Sequence, residues 1–307
     1  MDIKRAFYVS AGQADIITSH RFWKRGEHNP NEVSITFSGQ LEDFFQAAGL
    51  QAYLVSDRGD GEKLEDGPFT LEHRAKPTGN GFAYYRAEWR YCRSLVATAR
   101  AFKADIALID SGVVPFFMMA LFRIAGIPTV VILHNCIWPK GFRPKGKMQR
   151  VVQALDAWFM RRVPKCILAV SPEAERQVDE LAGPKHRPVH QLRAQFRREF
   201  FAAIPPPDVA AEPFQVMFIG RVNEHKGVLD IPDMAARIER QAPGAVRWTI
   251  CGRGPALDAL RAKITALHLD DIVHARGWTS LDDLQELYAQ SHAWIGALRE
   301  AMRLPSW

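Results

Sequence analysis

Two cations, Arg221 and Lys226, are framed by Gly220 and Gly227 directly after an apolar run. This pattern is typical of a strand, a turn and a helix start, where backbone N–H groups point toward an anion. Guanidinium and ammonium groups bind phosphate oxygens, and glycines let the backbone approach a ligand closely. The motif therefore predicts a diphosphate site. A surface turn that carries solvated cations is the alternative for a pattern this short.

Two further strand–turn units follow this motif. Residues 246–251 predict a buried strand that ends in a glycine-rich turn, and residues 272–277 predict a third strand and turn. Between them, apolar residues recur at the three- and four-residue spacing of a helix: Leu257, Leu260, Ile264 and Leu267. Three such units in series predict a parallel sheet with ligand-binding loops at the carboxyl ends of its strands.

Residues 214–295 resemble the donor domain of a family-4 glycosyltransferase with the GT-B fold. The resemblance rests on the Gly-Arg-x4-Lys-Gly motif, on the Cys-Gly-Arg-Gly-Pro turn at residues 251–255, and on Leu-x2-Leu-Tyr-Ala at residues 284–289. It implies an α/β chain of two Rossmann-like domains that transfers a sugar from a nucleotide-diphosphate donor to a glycan or lipid-linked acceptor. It also implies retention of anomeric configuration, no metal and no cofactor beyond the nucleotide-sugar substrate.

The resemblance assigns two sets of residues in the second half of the chain. The donor diphosphate would be bound by Gly220, Arg221, Lys226 and Gly227. The nucleotide would be bound by Gly252, Gly254, Gly277 and Trp278. As the bond between sugar and phosphate lengthens, negative charge grows on the leaving diphosphate, and the cations of the first set would stabilise it.

Two residues of the first half join this predicted site. His134 follows the apolar run at residues 128–133, where open α/β sheets place ligand groups. The resemblance implies that His134 is the catalytic candidate, in contact with the transferred sugar. An imidazole that caps a loop is the alternative. Gly12 follows the first predicted strand and, by resemblance, would contribute to diphosphate binding.

The chain divides best at residues 204–208, because consecutive prolines favour a stiff, extended connection. This boundary predicts an acceptor-side domain over residues 1–203 and a donor domain over residues 204–307. Within the first domain, residues 57–81 predict a loop and another polar loop is predicted to reach Asn31. We also expect a helix with Leu41, Phe44 and Phe45 on one face, and a strand at residues 167–171 that closes the sheet.

The final residues differ from the family pattern. After the predicted strand at residues 293–296, the family has a Glu-x7-Glu motif that contacts the donor, and later a helix that crosses back to the first domain. Glu300 is the only acidic residue after Glu286, and the sequence ends at Trp307. We therefore expect a truncation or frameshift that leaves the second domain incomplete.

Composition indicates an ordinary globular protein. With 47% hydrophobic and 24% charged residues, the composition is that of an ordinary globular chain. The four cysteines lack metal or disulfide spacing, and neither a secretory signal nor a spanning apolar run is visible, so a cytoplasmic location is expected.

Between residues 140 and 198, fourteen Lys and Arg outnumber five Asp and Glu. With the aromatics of residues 138–147, this stretch is compatible with peripheral contact with an anionic inner membrane face, but a solvated basic face is the preferred interpretation.

Three other functions compete with sugar transfer. An inactive remnant with residual nucleotide binding would follow from the missing Glu-x7-Glu motif. A sugar-nucleotide epimerase of the same architecture would need an acid/base carboxylate pair, and no persuasive pair is present. A nucleic-acid or polyanion-binding role rests only on the basic stretch, so no nucleic-acid partner is expected.

Overall fold

The computed structural model describes residues 3–27, 29, 37–138, 142–144, 146–193 and 204–296. These residues form two compact units, one that reaches residue 193 and one that starts at residue 204. Each unit alternates strands and helices around a parallel sheet, which confirms the predicted α/β class with Rossmann-like units. The predicted boundary at residue 204 stays a prediction, because residues 194–203 lie outside the described part of the chain.

The first unit is built on an eight-stranded sheet. Its order is β3-β4-β2-β1-β5-β6-β7-β8, and all neighbours are parallel except β3 and β4. The central strand β1 pairs Val9 with Val55 on one side and with Ile109 on the other. The strands are β1 (Arg5–Ser10), β2 (Gln51–Ser56), β3 (Lys63–Asp66), β4 (Phe69–His73), β5 (Ile106–Asp110), β6 (Thr129–Leu133), β7 (Cys166–Ala169) and β8 (Val189–Gln191).

Helices cover this sheet with two apolar layers. They are α1 (Ile16–Lys24), α2 (Phe37–Ala47), α3 (Gly81–Ala101), α4 (Ala120–Ile124), α5 (Lys147–Arg162) and α6 (Pro172–Ala182). Leu95 of α3 and Phe159 of α5 belong to one core cluster, whereas Ile17 of α1 and Phe45 of α2 belong to another. Because side chains alternate along a strand, neighbouring residues of β1 serve both layers.

The second unit contains four parallel strands in the order β11-β10-β9-β12. The strands are β9 (Phe214–Ile219), β10 (Val246–Cys251), β11 (Val273–Gly277) and β12 (Ala293–Ile295), and the helices are α7 (Ile231–Gln241), α8 (Leu257–Ala266) and α9 (Leu281–Gln290). Phe218, Ile250 and Leu260 lie in its buried core. Across both units, no helix in the described part of the chain has the length and apolar character needed to cross a bilayer.

Two segments predicted as loops are regular elements. Residues 57–81 contain β3 and β4, because Phe69 and Leu71 are buried while the intervening Thr70 is only partly buried, as in a strand. The polar segment before Asn31 contains α1, whose first turn is capped where the Asp15 carboxylate accepts a hydrogen bond from Thr18 N at 3.0 Å.

Three other details of the first unit differ from prediction. Leu41 and Phe45 of α2 are buried, but Phe44 is 55% exposed. The strand at Cys166–Ala169 does not close the sheet, because β8 pairs outside it. Trp138 is only partly exposed, because it packs against the core, and its backbone N–H and C=O bond to the Gln177 side chain at 3.1 and 2.8 Å.

Asp156 of α5 couples stability to pH. Its carboxylate accepts a hydrogen bond from Phe117 N at 3.0 Å, and burial raises the pKa of Asp156 from 3.8 to about 6. The folded chain thus binds this proton more tightly than the unfolded chain. The resulting stabilisation is fully present below pH 3.8 and is lost as the pH rises through about 6.

We therefore expect Asp156→Asn, which keeps an oxygen acceptor for Phe117, to raise the free energy of unfolding at pH 8 by about 1–3 kcal/mol. Urea denaturation of variant and wild type at a series of pH values measures the difference. The difference should shrink toward acid, and a constant difference between pH 4 and 8 would contradict the assignment.

Candidate functional site

Three strand ends of the second unit meet at one cavity. Gly220 and Arg221 follow β9, Gly252 and Arg253 follow β10, and Trp278 follows β11. Together they line a cavity of about 380 Å³, and the remaining lining residues are Ile219, Cys251, Thr279 and Leu284. None of these lining residues is acidic, so the two arginines favour an anionic ligand.

Backbone hydrogen bonds join the three turns. Gly220 N donates to Cys251 O at 3.0 Å, Val222 N to Arg253 O at 2.9 Å, and Gly252 N to the oxygen of Gly277 at 2.6 Å. The turns lie so close together that side chains are excluded. A Cβ atom on Gly252 would lie 1.8 Å from Gly220 O, and one on Gly254 would lie 2.0 Å from Val222 O. These glycines are therefore required for the approach of one turn to the next.

The helix predicted to begin within the Arg221 motif begins later than expected. Gly227 adopts a left-handed conformation with φ of 71° and ends a short 3-10 turn at Glu224–Lys226. A second 3-10 turn follows, and α7 begins only at Ile231. Lys226 N is bound by the Asn223 side chain at 3.0 Å, as in a capped turn. The backbone donors beside Lys226 thus belong to a tight turn rather than to an α-helix.

Arg221 and Lys226 are both exposed, and neither forms an ion pair with a carboxylate in the part of the chain that the structure describes. Arg221 lines the cavity, whereas Lys226 lies in the adjoining turn. Gly227 and Gly254 likewise lie in the surrounding turns, Gly277 is the last residue of β11, and none of the three lines the cavity. The structure therefore brings Gly220, Arg221, Gly252 and Trp278 together at one surface.

Arg253 is a residue that sequence reasoning did not assign. Its guanidinium lies over the indole of Trp278, with 5.6 Å between the carbon of the guanidinium and the ring centroid. This is the geometry of a cation–π contact. Arg253 stands between the two predicted glycines, so its place in the Cys-Gly-Arg-Gly-Pro turn was a signal that could have identified it.

In the first unit, His134 lies beside a buried carboxylate. Asp110 ends β5 and His134 follows the neighbouring β6, so that His134 Nε2 lies 2.7 Å from Asp110 Oδ1. The Tyr8 hydroxyl donates to Asp110 Oδ2 at 2.8 Å, and Ala11 N donates to the same oxygen at 3.3 Å. Burial raises the pKa of Asp110, while hydrogen bonds from His134 and Tyr8 oppose that shift. A carboxylate in this position can fix the orientation of an imidazole.

Gly12 lies in the turn after β1 and adopts φ of 87°. Its N–H donates to Asp57 Oδ2 at 3.2 Å, and Gln13 N donates to the other oxygen of the same carboxylate. The backbone donors of this turn thus bind a carboxylate of the same unit. The role of Gly12 in diphosphate binding stays a prediction, and it would require those bonds to open.

One group of potential metal ligands lies in the first unit, within the residues that are described. It consists of Asp60, Glu62 and His73, with His73 Nδ1 at 2.7 Å from Asp60 Oδ1. Arg58 pairs with Asp60 at 2.6 Å, so this carboxylate already has a cationic partner. The group lies on the hairpin side of the sheet and not beside His134 in the strand order.

The Glycosyltransferase Family 4 model matches residues 39–192, which is just over half of the sequence. The chain is a member of Glycosyltransferase Family 4. A second model, glycosyl transferases group 1, matches residues 202–299 of this family-4 chain. The two matches fall on the first and second units, respectively, and the predicted family resemblance is confirmed.

Known proteins support the same conclusion. This family-4 chain is 27% identical to an alpha-D-kanosaminyltransferase of Streptomyces kanamyceticus over 185 residues, which cover 55% of this chain and 46% of the relative. The chain spans about half the length of the curated relatives it matches.

Solved structures show the fold. A trehalose 6-phosphate synthase of Burkholderia multivorans has a TM-score of 0.66 at 11% identity, with 99% of this chain and 80% of that chain covered. An Anabaena protein, HepE, solved in complex with UDP and glucose, has a TM-score of 0.58 at 14% identity, with coverage of 95% and 73%. The GT-B fold predicted for this family-4 chain is thereby confirmed.

Proposed function

We propose that the chain acts as a glycosyltransferase that moves a sugar from a nucleotide-diphosphate donor to a glycan or lipid-linked acceptor. The observation that carries the proposal is the cavity at the ends of β9, β10 and β11, where Arg221 and Arg253 lie beside closely packed glycine turns. Arginine binds phosphate oxygens with two parallel hydrogen bonds, so this cavity suits a diphosphate.

The remaining features of the cavity suit the nucleotide. The Trp278 indole is 36% exposed and lines the cavity, so it offers an aromatic surface for a base. HepE, which shares the fold, was solved with UDP and glucose, and this supports a nucleotide-sugar donor. Lys226 in the adjoining turn would add a third positive charge at the diphosphate.

In the proposed reaction, the bond between the anomeric carbon and the diphosphate oxygen breaks, and a bond to the acceptor oxygen forms. The departing diphosphate oxygen takes the electron pair of the broken bond, and it accepts the proton that the acceptor hydroxyl gives up. Arg221 and Lys226 stabilise the charge that develops there in place of a metal ion. Retained configuration is proposed from the family resemblance alone. His134, held by Asp110, contacts the transferred sugar.

We further propose that this chemistry takes place in the cytoplasm and that the chain contacts the membrane peripherally. A lipid-linked acceptor would be met at the inner face of an anionic bilayer, and the exposed cations of the first unit support such contact.

Binding of UDP tests the proposed donor site. We expect Arg221→Ala to weaken UDP binding by about 10- to 100-fold, because a charged hydrogen bond to phosphate contributes roughly 1.5–3 kcal/mol. Binding of uridine, which lacks the phosphates, should be unchanged. Isothermal titration calorimetry with both ligands measures the two effects.

Arg237→Ala is the matched control, since Arg237 is an exposed arginine on α7 outside the cavity lining. Equal UDP affinity of Arg221→Ala and Arg237→Ala would reject the diphosphate site. Nucleotide binding without sugar transfer from UDP-sugar or GDP-sugar donors would instead favour an inactive binding protein.

A further inference from the structure

The outward side of α5 carries an exposed apolar stripe. Met148, Val151, Leu155 and Trp158 recur at three- and four-residue spacing and are exposed by 63, 54, 39 and 48%. The other side of the helix is buried against the sheet through Ala157, Phe159 and Met160. The helix therefore has two apolar sides, and the described residues cover only one of them.

Cations surround the stripe. Lys147 and Arg150 lie at the start of α5, Arg161 and Arg162 lie at its end, and all four are exposed. The only acidic residue of α5 is Asp156, which is largely buried and accepts the hydrogen bond from Phe117. The exposed side of the helix is thus apolar and cationic, with no exposed carboxylate of its own.

The stripe leads into a basic cavity of about 700 Å³. Four cations line it, and three small residues complete the lining: Arg161, Arg162, Lys185, Arg187, Ala182, Gly183 and Pro184. The Arg161 side chain donates to Ala182 O, and the Arg187 side chain donates to Arg162 O at 3.1 Å. Within the described residues, none of the four cations forms an ion pair with a carboxylate.

This cavity lies at the opposite edge of the first sheet from His134. It lies where α5 and α6 end and just before β7 and β8 begin, which is the amino-terminal edge of the parallel sheet. His134 follows the carboxyl end of β6, at the opposite edge. An anion bound in the cavity would therefore be remote from His134.

We propose that the outward side of α5 and the basic cavity at its end form a docking surface for an anionic lipid bilayer. The stripe spans about 15 Å of helix and would lie among the lipid headgroups, with Trp158 at the level that tryptophan prefers in bilayers. The guanidinium groups of the cavity would bind headgroup phosphates.

The cations and the apolar stripe together favour a bilayer over a second copy of the chain and over a nucleic acid. A second copy of the same surface would bring cations against cations, which disfavours a symmetric dimer. A nucleic acid would be met by the cations but would leave the apolar stripe without an apolar partner. This inference extends the proposed membrane contact to a defined surface, and it does not require that the chain transfer sugar.

Vesicle flotation of the full chain tests the apolar part of the surface. We expect binding to vesicles of phosphatidylglycerol and phosphatidylcholine, and little binding to phosphatidylcholine alone. The double variant Val151→Ser/Leu155→Ser should weaken binding at least about tenfold, because two apolar side chains no longer enter the interface. The control Phe82→Ser/Ile124→Ser removes side chains that are 83 and 80% exposed elsewhere, and it should bind like wild type.

A second pair of variants tests the cations. Arg162→Gln/Lys185→Gln should weaken binding to the anionic vesicles roughly tenfold or more, because each cation near an anionic surface contributes about fivefold. Arg90→Gln/Arg240→Gln, which removes exposed arginines from α3 and α7, is the control and should retain binding. All variants change exposed residues, so circular dichroism should match wild type.

Three outcomes would overturn the proposal. The first is equal binding of wild type and Val151→Ser/Leu155→Ser to anionic vesicles. The second is a wild-type dimer in sedimentation velocity that this variant dissociates while vesicle binding is unchanged, which would assign the surface to self-association. The third is an effect of Arg162→Gln/Lys185→Gln on binding of a single-stranded oligoribonucleotide but not on vesicle binding.

Discussion

Gly252→Ala should unfold the sheet of the second unit. The new Cβ would lie 1.8 Å from Gly220 O, and Gly252 also has φ of 140°, which side chains rarely adopt. To relieve the clash, the turns after β9 and β10 must separate, and the hydrogen bonds from Gly220 to Cys251 and from Gly252 to Gly277 would break. We expect a loss of more than about 3 kcal/mol in the free energy of unfolding.

Hydrogen exchange in the full chain localises this effect. Amides of β9, β10 and β11 should lose protection in Gly252→Ala, while those of the first unit should not change. Gly244→Ala is the control, because Gly244 has φ of 73° but no atom within 4 Å of its added Cβ. This variant should cost only about 1–2 kcal/mol. Equal costs for both variants would show that the contact between the turns is unimportant.

Asp110→Ala has the second large expected effect. The buried carboxylate accepts hydrogen bonds from Tyr8 and Ala11 and contacts His134, so its removal leaves the Tyr8 hydroxyl buried without this acceptor. Breaking such a buried network costs roughly 3–5 kcal/mol. Urea denaturation measures the loss, and the imidazole nitrogen shifts of His134 should change because its Nε2 no longer faces a carboxylate.

Asp105→Ala provides the comparison for Asp110→Ala. Asp105 accepts hydrogen bonds from Lys4 N and Arg5 N at 2.9 and 2.8 Å near the surface, where water can replace the carboxylate. We expect a cost of about 1 kcal/mol. Tyr8→Phe should likewise cost about 1 kcal/mol, since Ala11 and His134 still contact Asp110. Similar losses for Asp105→Ala and Asp110→Ala would show that the buried network adds little stability.

The sequence predicted the second unit better than the first, for a physical reason. In the second unit, β9 and β10 are mostly apolar strands that are followed by Gly220 and Gly252, so hydrophobicity and glycine together mark strand and turn. In the first unit, α1 was missed because its buried side includes His20. His20 pairs with Glu42 at 2.7 Å, and both side chains are 1% exposed. A prediction from the hydrophobic pattern assigns such buried polar residues to the surface.

In the candidate site, single residues could be predicted from the sequence, but contacts between loops could not. Arg221 and the glycines of the cavity follow predicted strands and could be identified one by one, whereas Arg253 was not assigned. Contacts between loops could not be identified, because they depend on the order of the strands. Asp110 meets His134 only because β5 and β6 are neighbours, and Gly252 meets Gly220 only because β9 and β10 are.

The two edges of the first sheet affect the tendency of the protein to aggregate at high concentration. The edge strands β3 and β8 have four and three residues, and exposed Lys63 and Glu65 alternate along β3. Short edges with charged side chains disfavour hydrogen bonding to a strand of another molecule. The first unit is therefore protected at both margins against intermolecular strand addition, and aggregation of this protein should not begin there.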